Sequence, residues 1–374
     1  MRALRVVIVA LITTLSSLVI SPAHADTTIV LSEPTHRDAN GIFVNDSLAT
    51  AISPEGALGK LVFDRPRRVD TWVIDVALIE EVQDLADGYT YFDEKGGKVS
   101  VDKSLAAEIW LSTLNSALRT SSVLALPYGN PSISYLSNVA PNELSILRNL
   151  AQQRLSTFLG RSAGFAPNSF ASTGKISRPN SLLYRNSLQE ISILNSLVTS
   201  SDIESLRLRL AELVNPKLPK SDFDQIAKSF EDAVKAMKKR IRVTSGNYTI
   251  TASQYDLPVT VINDFDQQIN VDVDAWTSNS RVTLGTIPRI SVPARSQIQI
   301  KVPITVIASG DTTLAIQLHA PNGKAVGEIE EIPLRLAVIS PVTTWFIVGM
   351  ALTLLFAAII QSLRRVKRRR TNES

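Results

Sequence analysis

Between residues 26 and 181 short apolar strands alternate with amphipathic helices. The stretch RRVDTWVIDVALIEEVQDLADGY passes from a period of two, from Val69 to Asp75, into a period of 3.6 that puts Ala77, Leu78, Val82 and Leu85 on one face. SLAAEIWLSTLNSALRTSSVLALPYGNPSISYL reverses the order, with a helix from about Leu105 to Leu118 and then a strand from Val123 to Leu126 that Pro127 ends. Strand and helix in alternation predict α/β layers on a largely parallel sheet.

From 182 to 242 the spacing becomes purely helical. Ile203, Leu206, Leu210 and Leu213 form one stripe; Phe223, Ile226, Phe230, Val234, Met237 and Ile241 form another. Ser201 with Glu204, and Ser221 with Asp224, have the spacing of N-caps followed by an acid in the first turn, and VNPKLPK separates the two helices. This predicts a helical hairpin packed on the first domain, the stripes being core, with a coiled-coil partner surface as the other use of such a pattern. From 243 to 340 the period is two. QIQIKVPITVI and LPVTVIND alternate cleanly, INVDVDAW does so with Trp276 assigned to the inside, and HAPNGKAVG carries the turn pair Asn322-Gly323. About seven short strands with turns every eight to twelve residues predict an immunoglobulin-like β-sandwich.

The two ends read differently from the middle. Residues 342–363 contain no charge and are followed by Arg364, Arg365, Lys367, Arg368, Arg369 and Arg370, which predicts a transmembrane helix with a basic cytoplasmic tail at 364–374 and everything earlier on the extracytoplasmic side. Residues 1–25 have the form of a signal peptide: Arg2 and Arg5, an apolar run from Val6 to Ile20, and Ala23-His24-Ala25 before Asp26. An uncleaved anchor is the alternative. These segments recast the formal charge of +4. Of 39 Lys+Arg, two fall in 1–25 and six in the tail, leaving 31; of 35 Asp+Glu only Glu373 lies outside the middle, leaving 34, so the middle carries about −3. Nothing in that balance calls for nucleic acid as a partner. The chain has no cysteine, which excludes thiol nucleophiles, thiolate metal sites and disulfides.

The segments EPTHRDANGIFVNDSLA, VDTWVIDVALIEEV, LALPYGNPSISYL and LPVTVIND, followed by the apolar run and basic end, resemble a family of uncharacterised exported bacterial envelope proteins with a C-terminal membrane anchor. The resemblance implies an α+β multidomain chain: a partial, degenerate barrel-like and hydrolase-like α/β domain at 26–181, the helical hairpin at 182–242, an immunoglobulin-like β-sandwich at 243–340 and one transmembrane helix at 342–363. It also implies a cell-membrane setting, with peptidoglycan or a membrane protein such as the peptidoglycan-precursor flippase, beside which members are encoded, as partners. No activity or cofactor follows from it.

Asp75 is the candidate catalytic residue, because it ends a strand, where α/β folds place reacting side chains. A strand-end cap is its structural use. Glycoside hydrolysis needs two carboxyls about 5 to 9.5 Å apart, and the matching strand end LPYGNPS offers Asn130 and Ser132 where the family often has acids. A second acid such as Asp64 or Glu108 within about 10 Å of Asp75, in an open cleft, would be needed for that chemistry. Glu80, Glu81, Asp84 and Asp87 read as the wet face of the following helix. His36 and His319 lack any zinc-site or triad spacing, and the glycines of EKGGKVS suit a hairpin turn and not a phosphate loop. Tyr89, Tyr91, Tyr128 and Asn130, with Trp72, Phe92 and Trp110, gather at the strand ends, either as a binding surface for sugar or peptide or as core. The expectation is a binding or scaffold protein of envelope assembly, with a wall hydrolase using Asp75 as the alternative.

Overall fold

The computed structural model describes residues 27–337 and 341–370, and for 341–346 and 363–370 the backbone alone. The four-residue run Thr28–Leu31 forms β1, and its partner TWVI forms β2 (Thr71–Ile74), parallel to it with Thr28 opposite Thr71. Between them lie α1 (Ser47–Ala51) and α2 (Ala57–Phe63). After β2 come α3 (Val76–Asp87), a hairpin of β3 (Tyr89–Phe92) and β4 (Lys98–Val101), then α4 (Leu105–Leu118) and β5 (Ser122–Ala125). The next crossover holds α5 (Ile133–Val139) and α6 (Pro141–Leu159) and ends in the short β6 (Gly164–Phe165).

The sheet order is β1-β2-β5-β6, every pair parallel. Each crossover therefore steps in the same direction, as the strands of an open barrel segment do, and all the strand ends that lead into helices lie on one rim. Local chemistry sets the boundaries. Ser104 Oγ accepts from Ala107 N at 3.3 Å to start α4, Pro141 opens α6, and Gly160 ends it in the left-handed region at φ +65°. The two large indoles, Trp72 on β2 and Trp110 on α4, are fully buried, with Trp110 Nε1 donating to Leu58 O at 3.2 Å.

Three helices follow: α7 (Arg178–Asn195), α8 (Ser201–Glu212) and α9 (Lys220–Lys238). The hairpin expected at 182–242 thus gains a helix that begins earlier, because Ser177 Oγ accepts from Asn180 N and Pro179 stands in the first turn. Ser200, not Ser201, caps α8 by accepting from Asp202 N at 3.3 Å, and α9 starts at Lys220 after Pro219 without using Ser221 as a cap.

A two-sheet sandwich follows. Its strands are β7 (Ile241–Thr244), β8 (Tyr248–Ile250), β9 (Gln254–Asn263), β10 (Ile269–Thr277), β11 (Val282–Leu284), β12 (Ile290–Val292), β13 (Ser296–Val306), β14 (Gly310–His319) and β15 (Ala325–Leu336). One sheet runs β12-β10-β14-β15-β8 and the other β11-β13-β9-β7. Trp276 corrects the expected pattern. The inward positions of β10 are Ile269, Val271 and Val273, so Trp276 shares the opposite parity with Asp272 and Asp274 and is 46% exposed.

The fold expected from sequence also needs correction at its end. Residues 341–370 form a helix, α10 (Pro341–Arg370), but among the described residues no helix is long and apolar enough to cross a membrane. The transmembrane helix at 342–363 is therefore withdrawn. The signal peptide assigned to 1–25 lies outside the described residues, as do the side chains of the basic tail.

Candidate functional site

Asp75 stands where β2 hands over to α3, and the chain needs it there. Its Oδ1 accepts from Ala77 N at 3.1 Å, capping the helix, and from Gly129 N at 2.9 Å in the loop after β5. The carboxyl is fully buried and its Oδ2 has no hydrogen-bond partner. Burial pushes its pKa up to about 8, against the opposing pull of the two amide hydrogen bonds, so at neutral pH it is held largely as the neutral acid.

The chain itself covers this rim. Asn215 Nδ2 donates to Gly129 O at 3.0 Å and Ser132 N to Val214 O at 2.8 Å, laying the end of α8 across the loop after β5. Glu212 lies against Gly129, where a Cβ would stand 2.7 Å from Glu212 Cγ, and Gly129 itself has φ +73°. Glu212, 2% exposed, also has its pKa pushed up to about 8 by burial, with Arg37 pulling the other way. Asn130, held at φ +43°, ties the remaining loops: its Nδ2 donates to Ser32 Oγ at 2.8 Å and its Oδ1 accepts from Ser172 N at 3.0 Å. It is 3% exposed, so its two amide functions are spent on holding strand ends together.

Tyr128 is likewise inside, 1% exposed. Its hydroxyl donates to Glu80 Oε2 at 2.6 Å and accepts from Arg37 Nη2 at 3.2 Å, while the Arg154 guanidinium sits 5.8 Å from its ring. Tyr89 and Tyr91 belong to another group on the β3–β4 hairpin. Tyr89 meets Phe43 edge-on at 5.4 Å and Tyr91 at 6.0 Å, and its hydroxyl donates to Asp46 Oδ1 at 2.6 Å. The four residues expected to form one binding face are thus divided between the covered rim and the hairpin, and three of them are buried.

The residues that do converge were missed. Arg37 is 3% exposed; it pairs with Asp84, and its Nε lies 3.6 Å from Glu81 Oε1 without a hydrogen bond. Glu81 is 2% exposed and accepts from Thr35 Oγ1 at 2.5 Å and from His36 N at 3.2 Å, with His36 Nδ1 3.1 Å away. Burial opposes ionisation of Glu81, but the His36 hydrogen bond and the Arg37 charge overcome it and hold its pKa below the usual range. The signal was present in the sequence: Glu81 lies four residues from both Ala77 and Leu85 and so falls on the apolar stripe of α3, not on its wet face. Neither Asp64 nor Glu108, the second acids a hydrolase could use, is among the groups acting most strongly on Asp75. Asp64 follows α2 and Glu108 lies in the first turn of α4, both exposed, whereas Glu80, Glu81 and Glu212 are the carboxyls coupled to Asp75.

Beside the covered rim, between α3, α6 and α8, opens a polar cleft of about 560 Å³ with Arg37 and Tyr128 among its lining residues.

Residues 100–373 match the model of a family of unknown function (DUF6049). The chain belongs to that family. No curated protein matches it. Solved structures similar to part of it include WR4, a Caenorhabditis elegans MSP family member, at 13% identity over 26% of this chain and 98% of that one, TM-score 0.21. A FixG-related protein from Vibrio parahaemolyticus is 15% identical over 26% of this chain and 94% of that one, also at 0.21, and the Escherichia coli chaperone DraB is 13% identical over 26% and 53%, at 0.20.

Proposed function

We propose that this protein works by binding, as a scaffold component of cell-envelope assembly, and not as a hydrolase. The observation that carries the reading is the closure of the rim. Asp75 is fully buried, and the loop that holds it is tied to Val214 and Asn215 after α8, so a polymer substrate has no path to it without displacing packed chain. A glycosidase of either stereochemical type needs its two carboxyls flanking a bound sugar. Here the neighbouring carboxyls are held by protein groups, Glu80 by Tyr128 and Arg154 and Glu81 by Thr35 and His36. The envelope setting rests on the sequence resemblance alone.

Complementation of a strain lacking the gene tests this. Asp75→Asn keeps the oxygen that accepts from Ala77 and Gly129 and mimics the neutral acid, so a binding protein should retain its in-cell function. A general acid or nucleophile reduced to an amide should lose nearly all turnover. Full loss of function from a variant that is folded and as abundant as the parent would overturn the proposal.

A further inference from the structure

The cleft beside the rim has walls of opposite character. On one side α3 presents Glu80, Gln83, Asp84 and Asp87; on the other α6 presents Arg154, and α8 presents Ser205 and Arg209. Residues three or four apart on a helix share a face, which is why Asp84 and Asp87, and Ser205 and Arg209, can act as pairs. Much of this charge is already matched: Arg37 with Asp84, and Arg154 with Glu80 at 2.8 Å and Glu204 at 3.1 Å. What remains is arranged by sign. On the α8 wall the Ser205 hydroxyl and the Nε and Nη2 of Arg209 have no hydrogen-bond partner among the described residues, Arg209 being held through Nη1 to Ala39 O at 2.9 Å. On the α3 wall the Asp87 carboxylate is equally free.

The floor shows that the cleft is more than a seam of surface ion pairs. Arg37 and Tyr128, both nearly fully buried, reach it, and Arg37 Nε is left without a hydrogen bond. A buried guanidinium held by carboxylates on several sides fixes the geometry of everything around it. The volume of about 560 Å³ falls within the range of small-molecule sites, roughly 300–1,000 Å³.

We propose that this cleft binds a short zwitterionic peptide, its terminal carboxylate on Arg209 and Ser205 and its terminal ammonium on Asp87 and Asp84. The inference deepens the binding reading above and rests on it. A guanidinium beside a hydroxyl is suited to a carboxylate, which takes two parallel N–H donors, and a paired-acid wall suits an ammonium with three donors.

Calorimetric titration of the full chain with triglycine, N-acetyl-triglycine and triglycine amide tests it. Triglycine should bind, and each blocked form should bind about tenfold more weakly, the loss expected of one charged contact. Asp87→Asn, which breaks no described interaction, should weaken triglycine by a similar factor and leave N-acetyl-triglycine unchanged; Ser205→Ala should show the converse selectivity towards triglycine amide. Absence of binding at about 10 mM triglycine overturns the proposal, as does equal affinity for free and blocked ends. Binding that neither substitution alters overturns it too, by placing the peptide elsewhere. None of these failures touches the Asp75→Asn complementation, so the fate of the binding reading is decided separately.

Discussion

Asp75→Asn has a second consequence, in the pH dependence of stability. In the unfolded chain this carboxyl titrates near its ordinary value of 3.8, while burial in the native protein pushes it up to about 8. A native pKa above the unfolded one means that the folded state holds a proton which the unfolded chain releases. The contribution is fully present below the unfolded value and is lost as pH rises towards the native one. Between those limits the slope is about 1.4 kcal/mol per pH unit for each such group, so from pH 5 to pH 7 Asp75 alone removes about 3 kcal/mol. The variant has nothing to titrate at this position, and the amide preserves the acceptor for Ala77 and Gly129. Relative to the parent it should therefore gain about 3 kcal/mol between those two pH values. Urea unfolding at pH 5, 6 and 7, followed by the fluorescence of the buried Trp72 and Trp110, measures the difference. Parallel stability curves for the two proteins would refute the reasoning, because they would mean that the carboxyl is ionised in the fold.

Further outcomes are expected at neighbouring positions. Gly129→Ala should cost on the order of 2 kcal/mol or more, combining a left-handed backbone with a Cβ 2.7 Å from Glu212 Cγ, measured by denaturant midpoint. Trp110→Ala should cost about 3–5 kcal/mol through the cavity it leaves beneath α2, read in the same assay. Burial works against charge on His36, but the hydrogen bond and charge of Glu81, helped by Glu33 and Asp222, outweigh it, so its NMR titration midpoint should lie above 6.5 in the parent and fall in folded Glu81→Gln. Tyr128→Ala should lower thermal stability, whereas Tyr91→Ala, on the partly exposed hairpin, should change it far less.

What could be read from the sequence follows the range of the interactions involved. The handover from strand to helix at Asp75 is local, written in one alternating run and one amphipathic run, and the structure places a cap there. The burial of that cap is not local, because the residues covering it, Glu212 to Asn215, belong to a different helix and leave no trace near Asp75 in the chain. Glu81 and Trp276 are a different kind of miss. Their periodicities put Glu81 with Ala77 and Leu85, and Trp276 with Asp272 and Asp274, so in both cases position along the element, and not residue type, decides the burial. The apolar run after Pro341 shows the converse limit, since its composition suggested a span that α10 does not provide among the described residues.

The clasp over Asp75 is supplied late. Glu212 enters the chain 137 residues after Asp75 (212 − 75), so during synthesis the segments that form the parallel strands emerge before the residues that lie across their rim. Wherever α8 is unseated and Asp75 reaches water, the carboxyl has its ordinary acidity, so seating the clasp at neutral pH takes up a proton. A chain cut short of Glu212 would not be a smaller copy of this unit. It would present a bare, acidic cup where the complete protein has a closed and neutral one.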